Sequence, residues 1–401
     1  YTLRIKENTG SGTGFPRIYF AGLGDKEKLI SIDQWGTGLW TSMSNAFNGC
    51  SNMTVTATDS PDLSGVTELN MMFYDASSMN GDFSSWDTST ISSMMWMFNG
   101  AASFNGDVTT WDTGLVTDMS RMFSGATVFN QDIGNWNTAS VTNMESMFEA
   151  AESFNQNIGG WATSNVAHLE YMFDGAIAFD QPIGGWDTSS ATRMEYMFRG
   201  AEAFNQDISS WNTSNVNLMY GMFQNAIAFN QPIGAWDTSS VTDMNAMFYN
   251  TPTFNQDLSG WDVRDVTDMS YMFQNANAFN QNIGGWDTGS VATMNGMFDG
   301  ATTFDQDISG WDVTALATAI DMFKGVTLST ENYDALLIGW NAQTLISNVV
   351  FSGGNSHYCL GETARNTMVS VDLWTITDGG KLCPYDTPIL IAPLDSTSMY
   401  D

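Results

Sequence analysis

The chain has 401 residues, 43% of them hydrophobic, and a formal net charge of −32 from 44 Asp+Glu against 12 Lys+Arg. The apolar content is enough for a substantial core, which excludes wholesale disorder. The acidic surface repels phosphate backbones and anionic membranes, so we expect no nucleic-acid partner. No stretch of about 18 apolar residues is present, so no transmembrane segment is predicted.

The N-terminal segment, residues 1–39, is rich in β-forming residues and is predicted to be a cap or the end of a preceding β domain. The chain opens at Tyr1 without a leader, and its last residues, 387–401, begin like another β segment. We therefore expect a piece of a longer, surface-anchored polypeptide, in which residues 387–401 start a linker or the next domain.

An internal repeat dominates the middle of the chain. Eleven residues after each of its tryptophans comes a Met-Phe pair, and a second Phe recurs six residues later in most units. A unit this small cannot bury its aromatic residues alone, so stacked units are predicted to share one continuous core. The tryptophans are spaced 25 residues apart without exception: Trp86, Trp111, Trp136, Trp161, Trp186, Trp211, Trp236, Trp261, Trp286 and Trp311.

The first half of each unit has the apolar spacing of a short helix. In the unit that starts at Trp236, the residues Val241, Met244, Met247 and Phe248 step by three or four, which predicts one buried helix face. Gly or Asn stands two residues after the Phe in most units, as the left-handed residue that ends a helix.

The second half of each unit, typified by Phe-Asn-Gln-Asp-Ile-Gly-Gly-Trp, is too short for another helix and is predicted to be a short β segment. Its recurring Asn and Gln side chains are placed to hydrogen-bond between units. Residues 40–326 are therefore predicted to be a right-handed α/β repeat solenoid of about twelve repeats, leucine-rich-repeat-like, with a short helix and a short β segment per repeat.

The C-terminal segment, residues 327–386, breaks the repeat and is predicted to be the opposite cap. It contains one helical stretch from Thr330 to Trp340, a β segment from Val349 to Phe351, and a second helix from Glu362 to Trp374. Terminal units of solenoids are atypical because they must close the core.

The chain has three cysteines. Cys359 and Cys383 lie near each other in the C-terminal cap and are predicted to form a disulfide, which points to an oxidising compartment. Cys50 occupies the position that is Ala in later units, so we expect it to be free and buried.

The residues Val-Thr-Asp-Met-Ser-Tyr-Met-Phe-Gln-Asn-Ala-Asn-Ala-Phe-Asn-Gln-Asn-Ile-Gly-Gly-Trp-Asp, at 266–287, resemble the bacterial surface-protein repeat of about 26 residues. That repeat is related to the BspA-like leucine-rich-repeat surface proteins, and the resemblance covers residues 40 to about 326. It implies an extracellular, cell-anchored protein that adheres to host or matrix proteins or to other cells. The family brings no catalytic residues, and here its Leu is largely replaced by Met, Phe and Trp.

Residue patterns typical of catalysis are missing from the sequence. The two histidines, His168 and His357, stand apart, and one His near one Cys falls short of a zinc site. No nucleophile elbow, phosphate loop or dinucleotide fingerprint is present, so the sequence predicts no enzyme.

Aspartates recur after most of the tryptophans and before the Ile of several units. We interpret both rows as turn and capping residues, with calcium binding as the alternative. Apart from that alternative, neither a cofactor nor a metal site is predicted.

Function is expected where units differ and yet keep an aromatic residue. The outer face of the predicted helices carries such residues among charged ones, which include Glu170 and Glu195. Exposed Tyr and Trp are common anchors for proteins and sugars. The alternative is that they fill space between neighbouring helices. The candidate binding residues are Trp96, Tyr171, Tyr196, Tyr220, Tyr249 and Tyr271.

The sequence thus favours an extracellular or cell-surface protein that mediates adhesion or ligand binding, with a protein or a glycan as partner, through a repeated face. The alternative is a structural spacer, stalk or fibre component whose repeats only set length. An enzyme is the weakest hypothesis.

Overall fold

A computed structural model describes residues 17–383; the parts of the predicted terminal segments in residues 1–16 and 384–401, including the expected linker 387–401, lie outside the described residues. Regular secondary structure is confined to the two ends of this range. The elements, in chain order, are a 3-10 turn at Lys26–Lys28, strands β1 (Ser31–Ile32) and β2 (Thr54–Val55), helix α1 (Thr330–Asn341), strand β3 (Val350–Ser352), helix α2 (Glu362–Ser370) and strand β4 (Thr375–Thr377).

The strands pair in parallel, β1 with β2 and β3 with β4. Between β2 and α1 the tandem units are joined by single parallel bridges, one residue per unit, and each bridge residue pairs with its counterpart 25 residues away. The unbroken series of bridge residues is Glu68, Ser93, Asp118, Asn143, His168, Arg193, Leu218, Asp243, Asp268, Thr293 and Thr318.

The helix predicted in each unit is wrong: these residues form consecutive turns. Backbone N–H groups alternate between two directions. Met122 donates back to the Met119 carbonyl of its own unit (3.2 Å), whereas Arg121 donates to the Glu145 carbonyl of the next unit (2.8 Å). An α-helix would need all these amides for bonds to the residue four positions earlier. Turns also bring residues three apart together, so the apolar spacing did not distinguish the two structures.

Two residues of each unit adopt the left-handed backbone conformation that a helix forbids. In the unit of Trp111 these are Arg121 (φ 54°) and Gly125 (φ 70°). Gly or Asn occupies the second position in most units, as predicted for a left-handed residue, but it lies between two turns. The first position is rarely glycine, and its occupants include the candidate binding residues.

The β segment predicted in the second half of each unit is also misplaced, because the bridges lie in the first half. In the second half, side chains connect the units. The Asn130 N–H donates to Asn105 Oδ1 (2.9 Å), and Gln131 Nε2 donates to the Asn105 carbonyl (2.9 Å). This arrangement recurs in later units and confirms the predicted Asn and Gln ladders.

The core is a set of aromatic columns along the stacked units. The recurring tryptophans are at most 4% exposed, and every Met-Phe pair from Met97-Phe98 to Met322-Phe323 is fully buried, as predicted. Rings of neighbouring units stack in parallel: the centroids of Trp111 and Trp136 are 6.3 Å apart. Each buried Phe or Met side chain contributes roughly 1.5–3 kcal/mol, so stacking supplies the stability that a single unit lacks.

The indole N–H groups also connect the units through hydrogen bonds to backbone carbonyls. Trp111 Nε1 donates to the Phe83 carbonyl at 3.0 Å, 28 residues earlier, and every later repeat tryptophan makes the same bond. The exception is Trp86, whose buried Nε1 has no hydrogen-bond partner in the described structure.

Helices α1 and α2 pack on each other at the C-terminal end of the repeats. The first predicted helix is α1, one residue longer than expected and capped by the Ser329 side chain. The second predicted helix ends at Ser370, short of Trp374. Leu373 is left-handed (φ 59°), and the chain then enters β4, while Trp374 Nε1 donates to the Ile346 carbonyl (2.8 Å).

Cys359 and Cys383 are joined by a disulfide, and Cys50 is a free, buried cysteine. The Asp334 side chain accepts three backbone N–H bonds from residues 359–361 (2.7–2.9 Å), which holds the start of α2 against α1. Burial raises the pKa of the Cys50 thiol to about 12, so this cysteine is a small core residue and not a reactive group.

Candidate functional site

The candidate binding residues lie on the turns that follow the bridge residues, and not on a helix face. Four of them stand ten residues after a repeat tryptophan; Tyr220 stands one residue earlier in its unit and Tyr249 three residues later. Tyr271 is 43% exposed, and the others are half-buried. We call this set the aromatic stripe: Trp96, Tyr171, Tyr196, Tyr220, Tyr249 and Tyr271.

The structure brings three of these tyrosines into direct contact. The ring centroids of Tyr171 and Tyr196 are 5.2 Å apart, and those of Tyr196 and Tyr220 are 5.0 Å apart in an edge-to-face arrangement. The Arg199 guanidinium lies 4.5 Å from the Tyr196 centroid. Arg199 also bonds the Asp174 carboxylate through Nε (2.8 Å), so the cation is already paired.

Trp96 belongs to a separate group. Its ring lies 5.7 Å from that of Tyr74, and the Arg121 guanidinium lies 4.9 Å from the Trp96 centroid. Arg121 in turn pairs with Glu145 (2.6 Å) and Glu149 (3.2 Å). The aromatic stripe is therefore a set of local clusters.

The backbone at the stripe position disfavours the residues found there. Ten residues after the tryptophan, φ lies between 52° and 62° in every unit from Trp86 to Trp311, yet only Gly221 and Gly296 are glycines. A left-handed conformation costs an L-residue roughly 1–2 kcal/mol. Backbone geometry alone favours glycine, so the aromatic and the other non-glycine residues are held there at a conformational cost. The non-glycine occupants are Trp96, Arg121, Ser146, Tyr171, Tyr196, Ala246, Tyr271 and Asp321, with φ values of 61°, 54°, 52°, 58°, 55°, 53°, 62° and 56°.

Each of the two glycines stands one unit after a tyrosine at the same repeat position, Gly221 after Tyr196 and Gly296 after Tyr271. A Cβ on Gly221 would lie 2.1 Å from Tyr196 Cε1, and one on Gly296 would lie 2.7 Å from Tyr271 Cδ1. Each of these tyrosine rings thus lies over the next unit. For these two residues the space-filling explanation is partly correct, since one edge of the ring packs on the neighbouring backbone.

Two glutamates beside the tyrosine cluster are buried, contrary to their expected place among the exposed charges of the outer face. Glu170 is 3% and Glu195 0% exposed. Arg193 Nε bonds Glu195 Oε1 (2.8 Å), and His168 Nδ1 lies 3.1 Å from Glu170 Oε1. The Oε2 atoms of both glutamates have no hydrogen-bond partner in the described structure. A helical wheel puts both residues outside, so the wrong secondary structure produced the wrong exposure.

Burial raises the pKa of Glu170, and the nearby Glu195 charge acts in the same direction, whereas His168 and Arg193 oppose the shift. Burial also raises the pKa of the Tyr220 hydroxyl to about 12, again with a contribution from Glu195. This part of the surface therefore holds poorly solvated acidic groups directly beside aromatic rings.

A depression of about 230 Å³ opens further along the stripe. Two consecutive units have no aromatic residue at the stripe position there, because Gly221 and Ala246 replace it. The depression is lined by Tyr196, Gln224, Asn245, Ala246, Tyr249, Tyr271 and Gln274.

Sequence reasoning found the three tyrosines of this depression but not its three amide side chains. Gln224 and Gln274 share the repeat position of Tyr249, and Asn245 precedes Ala246 in the chain. The signal available in the sequence was the loss of the aromatic residue from two neighbouring units, which leaves space between retained tyrosines.

The aspartate rows act in turns, as the first interpretation predicted. Asp187 accepts the Ser189 N–H (3.0 Å) and hydroxyl (2.6 Å), and these bonds lower the pKa of the Asp187 carboxyl. Asp132 likewise accepts the Gly134 N–H (3.1 Å). Within residues 17–383, no three His, Cys, Asp or Glu side chains cluster as a metal site would require.

The same range contains no helix that is long and apolar enough to cross a bilayer. These features define a tandem-repeat protein with few helices and strands, in which stacked turns carry aromatic clusters on one surface.

The chain belongs to the family described as "Mycoplasma protein of unknown function, DUF285", whose profile matches residues 41–161, 152–259 and 228–336. Each match spans several of the 25-residue units, so the repeat of the family profile is larger than the unit seen in the sequence. No curated protein matches the chain.

Proposed function

We propose that this chain is an extracellular or cell-surface protein whose stacked units form a solenoid and bind a protein or glycan ligand through the aromatic stripe. The observation that carries this proposal is the retention of Trp96, Tyr171, Tyr196 and Tyr271 at a left-handed position that favours glycine. Half-exposed aromatic residues that are held at a conformational cost are typical of recognition surfaces.

Three further features support this proposal. The disulfide between Cys359 and Cys383 suits an oxidising compartment. The net charge of −32 favours solubility and disfavours nucleic acid and anionic membranes as partners. The resemblance of residues 266–287 to the repeats of BspA-like surface proteins points in the same direction.

The purified chain should be tested on arrays of glycans and of extracellular-matrix proteins. Replacement of Tyr171, Tyr196 and Tyr271 together by Ser should abolish capture of the ligand and change the melting temperature little, since each anchor is typically worth about 2 kcal/mol or more of binding. The matched control replaces Leu115, Val128 and Ile177, which are also exposed but lie outside the stripe, by Ser. This control should keep binding.

Two outcomes would count against the stripe. If the tyrosine variant unfolds readily, these residues act in packing. If the variant stays folded and binds every partner of the wild-type chain, the binding face lies elsewhere, and the side with the Asn and Gln ladders is the next to test.

A structural spacer is the second candidate function, and the uniform Asn and Gln ladders favour it. Asn105, Asn130, Asn155, Asn205, Asn230, Asn255 and Asn280 each accept the backbone N–H of the equivalent residue one unit later. Such a surface sets length and rigidity without selecting a ligand. A spacer predicts that no array component is captured by the wild-type chain.

A further inference from the structure

The depression between Tyr196 and Tyr271 is a gap in the aromatic stripe. The Tyr196 ring lies over Gly221, and the Tyr271 ring lies over Gly296, which is away from the gap. Ala246, the stripe residue between them, presents only a methyl group. The space above Ala246 is therefore bounded by the Tyr196 ring at one end and lined by Tyr271 at the other.

The lining combines aromatic rings with neutral amides. Of its three amide side chains, Gln274 donates through Nε2 to Asp299 Oδ2 (2.9 Å). No hydrogen bond in the described part of the chain engages the side chains of Gln224 or Asn245, which are both half-buried. Each amide offers two donor hydrogens and an acceptor oxygen. The side chains of Gln224 and Asn245 can therefore both donate to and accept from a ligand in the depression.

The size and charge of the depression narrow the ligand class. Its volume of about 230 Å³ is smaller than the roughly 300–1,000 Å³ of sites for drug-sized molecules. None of the seven lining residues is charged, and the net charge of −32 opposes an anionic ligand. A compact, neutral molecule with an apolar face and several hydroxyl groups matches these conditions.

We infer that the depression binds one neutral sugar ring of a glycan. The apolar C–H face of the sugar packs on the tyrosine rings, and its hydroxyl groups exchange hydrogen bonds with the amides of Gln224 and Asn245. This inference rests on the proposed function, because it names the ligand class for one part of the aromatic stripe.

The test uses the full chain, with glucose, galactose, mannose and N-acetylglucosamine and their short oligomers as probes in ligand-observed NMR. Substitution A246Y restores the aromatic residue and fills the gap. The fold accepts a tyrosine at this position when another follows one unit later, as Tyr171 and Tyr196 show. We expect A246Y to melt like the wild type and to lose sugar binding.

Two further variants distinguish specific hydrogen bonding to the sugar from non-specific adsorption. Substitutions Q224A and N245A should each weaken binding about fivefold, within a range of roughly two- to twelvefold, since a lost hydrogen bond is worth about 1 ± 0.5 kcal/mol and tenfold corresponds to about 1.4 kcal/mol. Substitution L115S changes an exposed residue outside both the lining and the aromatic stripe, and should leave the affinity for the sugar unchanged.

The inference is overturned if none of the neutral sugars binds, if only anionic glycans bind, or if a folded A246Y variant binds as the wild type does. These failures can be told from a failure of the proposed function. Suppose that a protein ligand no longer binds the triple tyrosine variant but still binds A246Y. The aromatic stripe would then remain the proposed binding face, and the inference that it binds a sugar would be wrong.

Discussion

The ring of Tyr196 lies over the backbone of Gly221, the residue at the same position one unit later, so closely that a Cβ on Gly221 would be 2.1 Å from Cε1 of the ring. A tyrosine in one unit thus restricts the residue in the next. Tyr271 and Gly296 form the same pair. In these two pairs the stripe residues of neighbouring units are therefore coupled, whereas the Tyr171 ring packs against the ring of Tyr196.

This coupling predicts a measurable interaction energy. Substitution G221A should destabilise the wild-type chain by about 1–3 kcal/mol through overpacking against the ring, in addition to roughly 1–2 kcal/mol for a left-handed alanine. In a Y196A background only the left-handed backbone cost of roughly 1–2 kcal/mol remains, and Ala246 shows that alanine adopts this conformation. Denaturant unfolding of the wild type, both single variants and the double variant gives the coupling. Equal costs in both backgrounds would mean that the ring does not occupy this space.

The indole hydrogen bonds allow a matched comparison. Substitution W211F removes one of the two donors to the Ile183 carbonyl, which also accepts the Trp186 N–H, whereas W86F removes an N–H that has no partner in the described structure. The lost bond should make W211F less stable than W86F by about 0.5–1.5 kcal/mol, the net contribution of a typical hydrogen bond, because W86F loses no such bond. Thermal unfolding of the two variants measures the difference. A larger loss for W86F would show that packing alone determines the contribution of these tryptophans.

The contribution of Glu170 to the stability of the folded chain should fall as the pH rises, which is opposite to the behaviour of most carboxylates. The folded pKa of Glu170 is raised above its ordinary 4.5, so the native state binds this proton more tightly than the unfolded state. The stabilisation is present below 4.5 and is lost as the pH rises through the folded pKa. Relative to the wild type, E170Q should therefore melt higher at pH 7 than at pH 4.

Asp187 supplies the control of opposite sign. The bonds from Ser189 lower its folded pKa below the ordinary 3.8, so its contribution is present above 3.8 and is lost as the pH falls through the folded pKa. Substitution D187N should therefore be destabilising at pH 7 and have less effect at low pH. Parallel pH profiles for E170Q and D187N would contradict the burial of Glu170.

The disulfide should stabilise the C-terminal segment in particular. Cys359 and Cys383 are 24 residues apart, and closing a loop of that length is worth roughly 3–4 kcal/mol in the chain-entropy model. The double variant C359S/C383S should raise hydrogen exchange in α2 and β4 while the repeat units stay protected. Substitution C50A, at a position that is Ala in later units, is the control and should change exchange little.

Mass spectrometry without reduction tests the pairing itself, with one disulfide expected between Cys359 and Cys383 and a free thiol at Cys50. Two free thiols at positions 359 and 383 in the native protein would indicate a reducing compartment and remove one support for an extracellular location.

The core could be predicted from the sequence because stacking demands the same side chain at the same place in every unit. The Trp and Met-Phe columns and the left-handed Gly and Asn positions are read directly from the 25-residue spacing. The local structure of each unit could not be predicted in the same way, because helices and consecutive turns share an apolar spacing of three and four. The two structures differ in where the backbone N–H groups donate, and that of Arg121 donates to a carbonyl of the next unit.

That one error also limited the prediction of the site. With a helix assumed, Glu170 and Glu195 were placed in solvent, whereas both are buried. The amides of Gln224, Asn245 and Gln274 belong to two different repeat positions and come together only through the turns of neighbouring units. The aromatic members were found because they vary between units without any demand from the core.

The bonds between units join residues at constant separations, such as 25 for the bridges and 28 for the indoles. If one whole unit were deleted or duplicated, each of these donors would still meet an equivalent acceptor. The length of the protein is therefore free to change in single steps during evolution without a new folding solution. Gain or loss of a unit next to Ala246 would change which residues line the depression.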